Sequence, residues 1–315
     1  MLLILTSERD FAADFLIVEL IRRGLPYFRL NAEDIAGADF TFSLGVGKME
    51  SEIAIAPRKL ALDQVRAIWY RRAIHPNPLG SALSAHERQF VAGEMRHLAT
   101  ALVLNTDALW VNPIDRVTTA EHKLYQLEVA RSVGFKVPRT LVSRDAKSLR
   151  DFANGNRSGT ICKPIFHGLF FDGSARFSAY TRRIQPEDLE EETVTLCPVL
   201  LQEEIPRAAD IRATMIGRDW FVAEIKGNGD IVDWRSPKSD VSYAVSNVSE
   251  DVRQKCCALL DRLGLVYGAF DFIRTPDGEL VFLEVNPTGE WAWLEDRLGF
   301  PMRDAFIQLF YGAGK

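Results

Sequence analysis

Apolar and polar positions along this chain follow two spacings, and each change from one to the other marks an element. Leu2 to Thr6 is a short apolar run expected to form a buried strand. Phe11 to Arg23 repeats at helical spacing, with Phe11, Phe15, Val18 and Ile21 on one face and Gly24 as its stop. Tyr27 to Asn31 and Ala67 to Arg71 read as further strands, with a polar hairpin region across 39–56 and a helix from His86 to Thr100. This βαβ opening carries no glycine-rich phosphate loop, so a Rossmann-type cofactor site is not expected.

Asn112-Pro113 marks a boundary. Beyond it the pattern predicts a helix over 120–133 capped by Thr118 or Thr119, a strand over 139–143, a short helix over 145–153 and a strand from Gly159 to Lys163. Strands follow at 176–182, 199–203, 211–217 and 219–226, then a helix over 249–263 and an amphipathic tail helix over 303–310. The strands after 113 are mostly neighbours of antiparallel type, which indicates an α+β body behind an α/β opening.

The segment GAFDFIRTPDGELVFLEVNP is the most informative. Two strand-like runs meet at a Pro-Asp-Gly turn, so they form a hairpin. If Asp277-Gly278 are the two loop residues, Asp271 lies opposite Glu284 and Asn286 projects to the same face. If instead 276–278 form a three-residue loop with a glycine bulge, Thr275 pairs with Glu279 and Glu284 turns away, unless a second bulge compensates. The first register converges two carboxylates and an amide oxygen. Such a set suits Mg²⁺, which takes oxygen ligands and completes its shell with nucleotide phosphates. An ordinary hairpin with its acids facing solvent is the alternative.

Composition narrows the class. The chain has 315 residues, 47% hydrophobic and 26% charged, with a net charge of −5. That size supports two or three packed units, and the charge argues against a broad nucleic-acid surface. No run reaches the roughly 20 apolar residues of a membrane span, and MLLILTSERD lacks the basic start and cleavage site of a signal peptide. Cys162, Cys197, Cys256 and Cys257 show no metal or disulfide spacing. They read as buried thiols in a reducing compartment, which points to the cytoplasm.

Several segments could serve a nucleotide. Lys123 opens a helix, and Lys163 ends a strand just before HGLFFDGSAR, whose Gly168 and Gly173 could offer backbone N–H groups to phosphates. The strand VLLQEEIP brings Gln202, Glu203, Glu204 and Ile205 to an irregular edge fit to border a base. Asp210-Ile211-Arg212 and Asp233-Trp234-Arg235 set an acid and an arginine two apart, sharing a face if on strands; arginine suits phosphate or carboxylate. Arg71-Arg72 is either a solvated pair or a grip for an acidic partner. The histidines, His75 and His167 among them, show no ligand spacing.

In this order the pieces resemble the ATP-grasp superfamily. IWYRR, KLYQLEVARSVGFKVPRTLVS, DWR and LEVNPTGEWAWLE are most similar to microviridin-type (graspetide) peptide ligases, and more distantly to ribosomal-protein glutamate ligases. The resemblance implies an ATP-grasp fold divided as a pre-ATP-grasp α/β domain (1–111), a central lid subdomain (112–197) and a C-terminal subdomain (198–315). It implies an ADP-forming ligase that activates Asp or Glu side chains of a ribosomal precursor peptide, leader plus core, as acyl phosphates and closes ester or amide rings. A small amino acid, a protein terminus, or nucleotide binding without catalysis are the alternatives. ATP would lie on Lys123, Lys163, Gln202, Glu203, Glu204, Ile205 and Asp210, and Mg²⁺ on Asp271, Glu284 and Asn286. Arg212, Arg235 and Asp233 would be catalytic. A homodimer is also implied. His122 and the NPTGEW run depart from the usual Asn-Lys and NPNGQW.

Overall fold

The computed structural model describes residues 1–45, 50–72, 83–166, 169–172, 175–228, 232–235 and 240–312, with 169–172 and 175–178 described as strands only. Five sheets occur among the described residues, and three of them frame the fold. The first is parallel, with strand order Tyr27–Asn31, Leu2–Thr6, Ala67–Tyr70, Leu109–Val111. Its central strand is entirely buried, as expected of a parallel strand covered on both faces. A three-stranded hairpin sheet, Asp39–Ser43, Glu50–Ile55 and Arg58–Ala61, belongs to the same part of the chain.

The second sheet is antiparallel and runs Arg182–Ile184, Thr160–Lys163, Val199–Glu203, Thr140–Ser143. Helix Ala146–Asn154 covers it through Leu149 and Ala153. The third sheet has five antiparallel strands: Val241–Val245, Asp219–Gly227, Ala209–Ile216, Tyr267–Arg274, Leu280–Asn286. Helices Lys123–Ser132 and Glu250–Leu263 pack on one face of it, around Phe270, Phe272 and Phe282. A parallel front sheet with antiparallel sheets behind fits the expected α/β and α+β parts.

One core joins the first and third sheets. Trp69 and Ile4 from the first, Tyr267 and Ala269 from the third, and Trp291, Phe306 and Phe310 from the C-terminal helices bury one another. Ring centroids lie 5.1 Å apart for Trp69–Phe306 and 4.8 Å for Trp291–Phe306.

Several expectations need correction. On helix Phe11–Arg22 the buried apolar residues are Ala12, Ala13, Leu16, Ile17 and Leu20, whereas Phe11, Val18 and Ile21 are exposed. The sequence offers two apolar stripes there, and the slimmer one meets the closely packed core. Thr118 and Thr119 lie within a helix of their own, Ile114–Ala120, and the next helix begins at Lys123 with His122 at its cap. Only Cys256 is fully buried; Cys197 is exposed. Strand Val241–Val245 and helix Ala292–Leu298 add to the expected elements.

Phe306→Ala should destabilise the protein by about 3–5 kcal/mol. Urea unfolding would check this, and Trp69 fluorescence should shift with the same transition because both rings share one core.

Candidate active site

The hairpin is where local structure decides the site. The Thr275 N–H bonds to the Glu279 carbonyl and the Gly278 N–H to the Thr275 carbonyl, each at 2.9 Å. The loop is therefore three residues, with Gly278 at a φ of +87° that an L side chain rarely adopts. Pairing runs Arg274–Leu280, Ile273–Val281 and Phe272–Phe282. This is the second register, not the two-residue turn that was expected. Continued without interruption it would turn Glu284 into the core.

A bulge at Leu283 resets the ladder, so that Asp271 pairs with Glu284, Phe270 with Val285 and Ala269 with Asn286. Phe282 and Val285 both stay in the core. Asp271, Glu284 and Asn286 all line a cleft of about 440 Å³ between the second and third sheets. The shared face is thus reached through two irregularities instead of a regular ladder.

Of the residues singled out, the cleft also gathers Lys123, Lys163, Gln202, Glu203, Ile205, Asp210, Asp233 and Arg235. Glu204 instead pairs with Arg183 and lines a neighbouring cavity. Arg212 sits behind the wall, its Nη1 2.9 Å from both oxygens of Asp271. Asp233-Trp234-Arg235 lies on a turn, not a strand. There Asp233 Oδ1 accepts from the Arg235 backbone N–H at 3.1 Å and from Nε at 3.0 Å. Gly168, Gly173, His75 and His167 lie outside the described residues.

Charge dominates the cleft. Arg235 Nη1 lies 3.0 Å from Glu284 Oε1. Burial disfavours the Glu284 carboxylate, but Arg235 and then Lys163 and Lys123 outweigh it and hold its pKa below the usual range. Burial pushes Lys163 down to about 8, against the pull of Glu284, and lowers Lys123 as well. Lys123 Nζ donates to the Pro164 carbonyl at 2.7 Å, tying its helix to the strand that carries Lys163. Burial raises Asp210 to about 7 although Arg207 lies 3.1 Å away.

Two features of the cleft suit a nucleotide with its metal. Gln202 Oε1 is buried with no hydrogen-bond partner, and a buried acceptor without a donor is uncommon. The donor set on the hairpin is all hard oxygen. No group of three His, Cys, Asp or Glu side chains suited to a metal occurs among the described residues. Two carboxylates with one amide make a different set, of the kind that leaves Mg²⁺ positions for phosphates and water.

Sequence reasoning missed three groups that hold the strand after Glu284. Gln126 is 3% exposed and bonds the Val285 backbone. Asn112 Nδ2 donates to the Pro287 carbonyl at 2.7 Å. Arg71, read as either solvated or gripping an acidic partner, is 2% exposed. It holds Asp10 at 3.0 Å, Glu290 at 2.9 Å and the Thr288 carbonyl at 3.2 Å. The acid it grips belongs to its own chain. Only the i, i+3 spacing of Lys123 and Gln126 hinted at any of this.

With this geometry in view, the comparisons define the class. Residues 1–118 match the family model described as the MvdD pre-ATP grasp domain. The macrocyclase MdnC of Microcystis aeruginosa MRC, solved with its precursor peptide MdnA, is 28% identical over 99% of both chains, with a TM-score of 0.87. The macrocyclase MdnB of the same organism is also 28% identical over 99% of both chains, with a TM-score of 0.81. A RiPP-associated ATP-grasp ligase of Chryseobacterium gregarium, solved with ADP and a leader and core peptide, is 22% identical. It covers 100% of this chain and 97% of its own, with a TM-score of 0.86, and shows the fold. The curated proteins searched contain no match. Over nearly its whole length the chain is thus similar to microviridin-type macrocyclases, and its first 118 residues match a pre-ATP-grasp domain. No helix among the described residues is long and apolar enough to cross a membrane.

Asp210 should titrate anomalously. Its folded pKa of about 7 exceeds the ordinary 3.8, so its contribution to stability is full below 3.8 and is lost as pH rises through 7. Asp210→Asn should flatten that part of the stability–pH profile in denaturant unfolding, and the carboxyl carbon shift should titrate near neutrality in the wild type.

Proposed function

We propose that the protein is an ATP-dependent, ADP-forming ligase that joins Asp or Glu side chains of a ribosomal precursor peptide to hydroxyl or amine side chains of the same peptide. The observation that carries this reading is the convergence of Asp271, Glu284 and Asn286 with Lys123, Lys163 and Arg235 in one cleft. The 28% identity to two macrocyclases over nearly the whole chain supports the peptide substrate.

The chemistry needs charge neutralisation. A carboxylate attacking the γ-phosphorus of ATP is an anion meeting an anion. Lys123 and Lys163 would hold the phosphates, with Gln202, Glu203 and Ile205 along the base and Asp210 near the ribose. Gln202 Oε1 has a vacant acceptor position for a base amino group. Asp271, Glu284 and Asn286 would hold Mg²⁺, which when bound neutralises phosphate charge. Arg235, now on Glu284, is placed to turn toward phosphate, while Arg212 holds Asp271 from behind.

The substrate carboxylate takes the γ-phosphoryl group and ADP leaves. The hydroxyl or amine then attacks the acyl carbon, loses its proton, and phosphate departs. Asp233, beside Arg235, is the group nearest to a role in receiving that proton. No protein nucleophile takes part, in keeping with the absence of a Ser/His or Cys/His pair among the cleft residues.

Incubation with ATP, Mg²⁺ and a candidate precursor should release ADP only when peptide is present, and mass spectrometry should find product lighter by one or more waters. Glu284→Gln should cut the rate by roughly 100-fold or more. Undiminished product from that variant would overturn the metal assignment, and ADP release with every carboxylate but a peptide would overturn the substrate class.

A further inference from the structure

The strand Leu280–Asn286 is the edge of its sheet, so the outward N–H and C=O groups of its backbone need partners from elsewhere. At Val285 one side chain supplies both. Gln126 Nε2 donates to the Val285 carbonyl at 2.8 Å, and Gln126 Oε1 accepts from the Val285 N–H at 2.9 Å. Its Nε2 also reaches the Ala120 carbonyl. A primary amide carries a donor and an acceptor at one end, and here it replaces the peptide group of a missing neighbouring strand.

The position matters because Val285 stands between Glu284 and Asn286. Its side chain is in the core, while its two neighbours line the cleft. A backbone pinned at Val285 through both polar groups fixes where the two neighbours emerge. This stretch needs such pinning, since the bulge at Leu283 has already interrupted the ladder to the strand Tyr267–Arg274. Gln126 stands one turn after Lys123 on the same helix, and Lys123 is bonded to the Pro164 carbonyl.

We infer that Gln126 is a positioning residue for the divalent cation: its amide sets the separation and direction of Glu284 and Asn286, and registers them against Lys123. The inference rests on the metal reading given above. Partners one step behind metal ligands typically change metal affinity 10–100-fold when lost.

The test is calorimetric binding of ADP to the full chain across a Mg²⁺ titration. Gln126→Met removes both bonds. Gln126→Glu is nearly the same shape and keeps the acceptor while losing the donor, so it remains informative if the first variant fails to fold. Each variant should need about tenfold more Mg²⁺ to tighten ADP binding, with ADP affinity in the absence of Mg²⁺ unchanged. A wild-type Mg²⁺ midpoint together with a lowered melting temperature would make Gln126 a tether of its helix alone and overturn the inference. If the wild type shows no Mg²⁺ effect on ADP, or Glu284→Gln retains it, the metal reading fails and this inference with it.

Discussion

Two carboxylates face one another on the wall of a cleft, and cations on either side of them offset their repulsion. Asp271 and Glu284 occupy paired positions of adjacent strands, where like charges repel. Arg212 answers the first and Arg235 the second. Removing Arg212 would leave the buried Asp271 charge without its partner, which costs far more than the pair itself contributes. The cations are therefore part of the fold before they are part of any chemistry.

The arginines in turn depend on the backbone beyond the strand. Arg212 Nη2 donates to the Glu290 carbonyl at 3.2 Å. Arg71, from the parallel sheet, bonds the Thr288 carbonyl and the Glu290 carboxylate. Burial disfavours charge on Arg71, but Glu290 and Asp10 outweigh it and raise its pKa. Asp10 caps the first helix through the Ala13 N–H at 3.2 Å. A line of bonded groups thus runs from the start of the chain to Asp271. It gives the N-terminal part, which contributes no side chain to the cleft lining, a physical connection to the residues that do.

Sequence reasoning served well where chemistry is carried by residue type. Lys123, Lys163, Asp210, Arg235, Asp271, Glu284 and Asn286 meet in one cleft, although only their roles by resemblance tied them together beforehand. It served less well where an alternative of equal local merit existed. Helix Phe11–Arg22 has two apolar faces, and nothing local says that the smaller one is buried. Thr118 and Thr119 are good capping types, yet a Pro113 entry starts an earlier helix and absorbs them. Asp233 and Arg235 approach through a turn instead of a shared strand face.

The chain alone determined that strands near 271 and 286 form a hairpin, because apolar alternation and Pro-Asp-Gly leave little else, and that oxygen ligands and cations occur in a nucleotide-binding order. Tertiary structure decided which face those ligands occupy. The turn chose a three-residue loop because glycine alone accepts its final conformation, and that choice would have buried Glu284. Packing of Phe282 and Val285 into the same core then favoured a bulge at Leu283 over a buried carboxylate. Such a correction depends on contacts between strands and helices far apart in sequence. The same is true of Gln126 and Asn112, which bond backbone groups, and of Arg71, whose partners Asp10 and Glu290 lie far from it in sequence.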